Sequence, residues 1–133
     1  MKPLIKYRGG KSKEIPNIEK QIPQFTGRYI EPFFGGGALY FHLEPQKAII
    51  NDINTKLIGF YNGVKKLHPA EHVEDKNEYF YYQIRDMYNG LSEKKYSDAL
   101  IYFFINKTAY SGMIRYNAKG EFNVPFGRYQ HLN

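Results

Sequence analysis

A seven-residue run, Glu31-Pro32-Phe33-Phe34-Gly35-Gly36-Gly37, constrains this chain more than any other feature. The apolar pair Tyr29-Ile30 leads into it and Ala38-Leu39-Tyr40-Phe41 follows, an order that predicts strand, glycine turn, helix. Glycines let the backbone come close to a ligand where any Cβ would collide. A ligand at the carboxyl end of such a strand sits where open α/β sheets place nucleotides. The same pattern also suits a plain strand-to-helix turn, because glycine motifs are weak without context.

Context follows in Lys47-Ala48-Ile49-Ile50, a second short apolar run that ends in Asn51-Asp52-Ile53-Asn54. An acidic residue at the tip of the second strand is the usual partner of a ribose, whose two hydroxyls a carboxylate can accept. The glycines do not form the dinucleotide pattern G-x-G-x-x-G, so a nucleoside without a pyrophosphate fits better than NAD. Asp52 equally suits a helix cap, although Asn54 is better placed to cap a helix starting near Thr55.

The chain has 133 residues, enough for one domain with a core or parts of two. Cysteine is absent, which excludes disulfides and Cys-ligated zinc, and no metal site is expected. No apolar stretch approaches a membrane span and no signal-peptide pattern opens the chain, so a soluble cytoplasmic protein is expected. The net charge of +6, with 13 Tyr, suits nucleic acid, where phosphates attract the charge and bases stack on rings. A merely basic soluble domain has the same balance.

Along the chain, Lys6 to Lys11 reads as a glycine turn and Ser12 to Gln21 as a short helix, with Pro16 tolerated near its first turn. A strand over Arg28 to Pro32, a helix over Gly36 to Leu43 and a strand over Lys47 to Asp52 are expected next. A helix over Thr55 to Leu67 would bury Leu57, Ile58, Tyr61, Val64 and Leu67. This β-α-β-α order implies part of a parallel sheet. Composition changes near His68-Pro69, which divides the chain into 1–67 and 68–133. Beyond it, Tyr79, Phe80, Ile84 and Met87 predict a helix from Asn77, stopped by Asn89-Gly90. Ser92 is expected to cap a further helix that runs to about Lys107, with Leu100, Ile101, Phe103 and Phe104 in the core. Ala109 to Gln130 reads as irregular, with a strand or hairpin around Glu121-Phe122-Asn123-Val124.

Three separated blocks now converge: Lys6-Tyr7-Arg8-Gly9-Gly10-Lys11; then Glu31 to Leu39 with Asn51-Asp52; then Arg115-Tyr116-Asn117 with Glu121 to Tyr129. Their order and spacing resemble the N-terminal part of a Dam-type (D12 class) DNA adenine-N6 methyltransferase, over the whole chain. The resemblance implies a partial Rossmann-like α/β methyltransferase sheet with an inserted, mainly helical DNA-recognition subdomain ending in a β-hairpin. S-adenosylmethionine is the implied cofactor, and duplex DNA with a GATC or GAT-containing site is the implied substrate. It assigns Tyr7 and Lys11 to the methionine end of the cofactor, Lys11 meeting the carboxylate. Glu31 and Phe33 lie beside the cofactor in that assignment, with Phe34 in the same set; Gly35 and Gly37 give close backbone approach, and Asp52 takes the ribose. On the DNA side it implies Lys6, Tyr110, Ser111, Met113, Arg115, Pro125, Arg128 and Tyr129. Arg115 would grip guanine with two bonds or contact a phosphate. Tyr110 and Met113 would wedge into the stack around a flipped adenine or pack inside the helical subdomain.

One family element is missing. The Asp-Pro-Pro-Tyr motif that activates the adenine amine needs adjacent prolines, and the seven here (Pro3, Pro16, Pro23, Pro32, Pro45, Pro69, Pro125) are all separated. No catalytic residue is therefore assigned, and the chain covers about half of what the resemblance implies for an enzyme. A C-terminal segment or second polypeptide is expected to carry the rest, and a two-strand sheet should leave an open edge and exposed apolar surface. The competing reading is a non-catalytic DNA-binding module left by truncation. An RNA or small-molecule methyltransferase would have no evident use for the block from Arg115 to Tyr129.

Overall fold

Alternation of Tyr29, Ile30 and Glu31 gives a three-residue strand, β1 (Tyr29–Glu31), paired in parallel with β2 (Ala48–Ile50). The register sets Tyr29 against Ala48, Ile30 against Ile49 and Glu31 against Ile50. Flanking main-chain bonds from Tyr29 N to Lys47 O and from Asn51 N to Glu31 O extend the contact at both ends, each at 2.9 Å. The computed structural model describes residues 1–67 and 76–129; the expected boundary at His68-Pro69 and the end of the irregular region at Gln130 lie outside them. The described residues form an α/β structure with this small two-stranded parallel sheet.

Two compact units divide the chain, Met1–Thr55 and Lys56–Asn133. In the first, a 3-10 turn (Ser12–Glu14) leads into α1 (Ile15–Glu19), and α2 (Ala38–Leu43) follows the glycine bend. Pro16 lies in the first turn of α1, where its missing N–H costs nothing. The core is small: Ile5, Ile15, Phe34 and Phe41 are buried. Aromatic edges knit it, with Phe34 against Tyr40 at 5.5 Å and Tyr40 against Phe41 at 5.2 Å between centroids. Apolar surface remains open on the sheet, where the paired Ile30 and Ile49 are 63% and 46% exposed.

The second unit carries most of α3 (Thr55–Val64), α4 (Glu78–Tyr88) and α5 (Asp98–Thr108) around a larger core. Leu57, Phe60, Tyr81, Ile84, Ile101 and Val124 are almost wholly enclosed. On α3, Leu57 and Tyr61 are buried as expected, while Ile58 and Val64 are only half-buried and Phe60 joins the core. On α4 the expected Ile84 and Met87 are buried; Tyr79 is exposed and Tyr81 takes the central place.

The start of α5 corrects the expectation. Ser97, not Ser92, is the cap, its Oγ accepting from Leu100 N at 3.3 Å. Glu93, Lys94 and Lys95 are all exposed, and Ala99 is the first buried residue after Leu91, so nothing earlier offers a face to bury. Lys94 instead reaches forward to Asp98 (2.7 Å) in the first turn of the helix. Phe103 is a second correction: it faces outward from α5, with its ring parallel to that of Phe60 at 6.1 Å. Past α5, a 3-10 turn (Tyr110–Gly112) precedes extended chain that forms isolated antiparallel bridges, Ala109 with Phe126 and Tyr116 with Phe122.

Burial raises the phenol pKa of Tyr81 and of Tyr88, the latter further through its hydroxyl bond to Tyr116. A phenol held protonated in the fold but ionising near pH 10 in the unfolded chain makes the fold lose stability as pH rises above about 10. The denaturation midpoint should therefore fall through that range, and Tyr88→Phe should flatten the fall; a pH series of urea unfolding curves measures it.

Candidate nucleotide-type site at the glycine bend

The cleft is built where β1 ends. Phe34 N donates to Asn51 O and Gly37 N to Phe34 O, each at 2.9 Å, so the chain turns sharply between the sheet and α2. Gly35 (φ +54°) and Gly37 (φ +70°) occupy the left-handed region. A Cβ on Gly37 would lie 2.5 Å from Phe34 Cζ, and one on Gly36 would lie 2.8 Å from Tyr7 Cβ. The bend is thus packed against the side chains of Tyr7 and Phe34, and only bare backbone fits there.

Asp52 closes this arrangement. Its Oδ2 accepts from Gly35 N and its Oδ1 from Asn54 N, each at 2.9 Å. One carboxylate thereby ties the tip of β2 to the bend, and each oxygen retains acceptor capacity, since a carboxylate offers about four lone-pair sites. Burial, and then the charge of Asp52, raises the phenol pKa of Tyr7, keeping it a neutral donor. Glu31 is oriented from its own strand: Tyr29 Oη donates to Glu31 Oε2 at 2.6 Å, and the phenol's pKa is raised by burial first and by this carboxylate second.

Around these groups lies a cleft of about 220 Å³, lined by Tyr7, Lys11, Glu31, Phe33, Gly35 and Asp52 among others. Ligand pockets run to about 300–1,000 Å³, so the cleft suits part of a nucleoside-sized ligand. Every cofactor residue expected from the sequence lines it: Tyr7, Lys11, Glu31, Phe33, Phe34, Gly35, Gly37 and Asp52. Their characters differ. Phe33 is 81% exposed and offers a ring to a partner, whereas Phe34 is buried and supports the bend from below. Gly9, Gly10 and Gly36 also line the cleft without being among the expected cofactor residues; the glycine pair of the first block and the three glycines of the second carried that signal. Among the described residues no group of three His, Cys, Asp or Glu side chains is placed to hold a metal ion, and no helix is long and apolar enough to cross a membrane.

Within the second unit, the residues expected to meet DNA fall into two groups. Tyr110 N donates to Pro125 O (2.9 Å) and Gly127 N to Thr108 O (2.8 Å), which brings Tyr110, Ser111, Pro125 and Arg128 to one edge. Ser111 (φ +54°) and Arg128 (φ +55°) are both left-handed, a costly conformation for a side chain. Arg128 is 3.5 Å from Glu78, and Tyr129 is exposed. Arg115 lies elsewhere, against Asn123: its Nε donates to Asn123 Oδ1 at 3.0 Å. Met113 is half-buried beyond the 3-10 turn, and Lys6 belongs to the first unit, beside Tyr7.

The family model for D12 class N6 adenine-specific DNA methyltransferases matches residues 7–132. Among curated relatives, a type II methyltransferase, M.MjaIII, of Methanocaldococcus jannaschii is 38% identical over 98% of this chain and 54% of the relative. Another type II methyltransferase, M1.LlaDCHI of Lactococcus lactis subsp. cremoris, is 34% identical over 98% and 49%. The DNA adenine methylase of Escherichia coli K12 is 35% identical over 96% and 48%. The chain thus spans about half the length of the curated relatives it matches.

Gly37→Ala should destabilise the first unit by about 1–3 kcal/mol, combining left-handed strain with the clash against Phe34. Chemical denaturation compared with Gly27→Ala, where a Cβ meets nothing within 4 Å, isolates that effect.

Proposed function

Because the chain belongs to the D12 class of N6 adenine-specific DNA methyltransferases, we propose that it supplies the cofactor site and much of the target-recognition surface of a site-specific adenine-N6 DNA methyltransferase. Residues 1–67 are the cofactor-binding half of a Rossmann-like methyltransferase domain. Residues 68–133 are the DNA-recognition subdomain, ending in a hairpin. The cofactor is S-adenosylmethionine, and the target is GATC or a GAT-containing site.

The observation that carries this reading is the carboxylate of Asp52 bonded to Gly35 N at the mouth of the cleft. Its remaining lone pairs suit the two ribose hydroxyls. Lys11, exposed in the cleft lining, suits an α-carboxylate as a compact cation. Phe33 offers its exposed ring to the base, Tyr7 a neutral hydroxyl to the methionine end, and the backbone at Gly35 and Gly37 lets the ligand lie close. S-adenosylmethionine, when bound, supplies an activated sulfonium methyl. The chain's own residues bind and orient it.

On the DNA side, Arg115 reads guanine in the major groove. Tyr110 and Met113 support the duplex around an extruded adenine, and Lys6, Ser111, Pro125, Arg128 and Tyr129 hold bases or phosphates. Methylation itself is proposed to require an Asp-Pro-Pro-Tyr segment from a C-terminal stretch or a second polypeptide, since no such run occurs in the sequence. The second reading is a DNA-binding module without catalysis.

Asp52→Ala should weaken S-adenosylmethionine by about 1–3 kcal/mol, the scale of lost hydrogen bonds to a charged group. Titration calorimetry checks it, and unchanged affinity refutes the role. Addition of a polypeptide bearing the Asp-Pro-Pro-Tyr half of a relative should yield methylated duplex in a tritium-transfer assay; DNA binding with no methyl incorporation would favour the second reading.

A further inference from the structure

The extended chain from Arg115 to Phe126 is held mainly by its backbone, and one face of α4 does the holding. Tyr81, Arg85, Tyr88 and Asn89 have the spacing of neighbours on one helical face. Tyr81 Oη donates to Val124 O at 2.6 Å, and Arg85 Nη1 to the same oxygen at 3.3 Å. Asn89 Nδ2 donates to Phe122 O at 2.9 Å, and Asn89 Oδ1 accepts from Phe122 N at 2.7 Å. A single side-chain amide therefore pairs with both polar groups of one residue, as a neighbouring strand would. The donor and acceptor needs of Phe122 also fix which end of the amide carries oxygen.

Holding the backbone separates two sets of side chains. Phe122 and Val124 are buried, with the Tyr88 ring edge-on to Phe122 at 5.3 Å between centroids. Alternation along extended chain turns Glu121 and Asn123 the other way. Across the Tyr116–Phe122 bridge, Asn123 N donates to Arg115 O (3.1 Å), so residues 115 and 123 stand opposite each other. Arg115 is exposed there, and its guanidinium is laid against Asn123 by the Nε–Oδ1 bond. The tip is closed locally, Asn117 Oδ1 accepting from Lys119 N and Glu121 N.

We propose that Asn89 is a positioning residue for target recognition: by pairing with Phe122 it fixes the register of residues 115–123 and so aims Arg115. This rests on the reading of Arg115 as a base contact given above. Because both of these Asn89 hydrogen bonds go to main-chain atoms, the outward side chains can differ without loosening what holds them, so the grip and the recognition sequence are separable.

The test uses the whole chain carrying Asn89→Ala and, to keep the shape while removing the Nδ2 donor, Asn89→Asp. In hydrogen exchange followed by mass spectrometry, peptides over 115–123 should exchange about tenfold faster in both variants, the scale of one or two lost hydrogen bonds, with α5 unchanged. Unaltered exchange over 115–123 would overturn the proposal. In binding to a GATC duplex and to a scrambled duplex of equal length, the preference should fall about tenfold while the salt slope stays constant, as expected for lost base readout rather than a lost phosphate contact. A retained preference, or a salt slope reduced by about one, would overturn the recognition role. Lack of any preference in the unsubstituted chain would defeat the reading of Arg115 itself; the exchange result would still decide whether Asn89 holds the segment.

Discussion

One hydrogen bond, from Gly35 N to Asp52 Oδ2, joins the two halves of the glycine cleft. With the Phe34 N to Asn51 O bond, it carries the link between the bend and the tip of β2 beyond a sheet of three paired residues. The bond does more than tie them. It orients a carboxylate toward open space at the carboxyl end of the strands, where α/β sheets place their ligands. The side chains of Tyr7 and Phe34 then press on the bend, which is why it tolerates no Cβ at Gly36 or Gly37. Rigidity at the cleft comes from these few contacts rather than from a large core.

The second unit solves a different problem. Its segment from Arg115 to Phe126 has almost no regular structure, only isolated bridges and short turns. Such a segment needs an external scaffold to hold one shape, and α4 supplies it through polar side chains aimed at main-chain atoms. Tyr81 and Tyr88 are part of that scaffold as much as of the core. Their ring bodies pack and their hydroxyls bond, the amphipathic use to which tyrosine is suited.

How much of this was legible beforehand varies with the physics involved. The glycine bend, both strands and Asp52 were readable because local chemistry dictates them: glycines fix the turn, and short apolar runs fix the strands. Strand ends came out shorter than expected, Tyr29–Glu31 and Ala48–Ile50, because pairing and not propensity sets their limits. Ser92 misled because a cap residue needs a helix with something to bury, and only after Ser97 does the chain offer Ala99, Leu100 and Ile101. Phe103 misled in the opposite sense, a large ring left outside among buried neighbours. The Tyr29–Glu31 bond and the Asn89 pairing were not readable at all, since both depend on geometry in space.

On the function proposed above, the bend and Asp52 together cradle a sulfonium nucleoside. A titration of the ¹⁵N-labelled chain with S-adenosylhomocysteine, followed by amide chemical shifts, tests it most directly. The account predicts the largest changes at Gly9, Gly10, Gly35, Gly36, Gly37 and Asp52, with the amides of α4 and α5 still. Changes clustered in the second unit, or none at the glycine bend at saturating ligand, would contradict it.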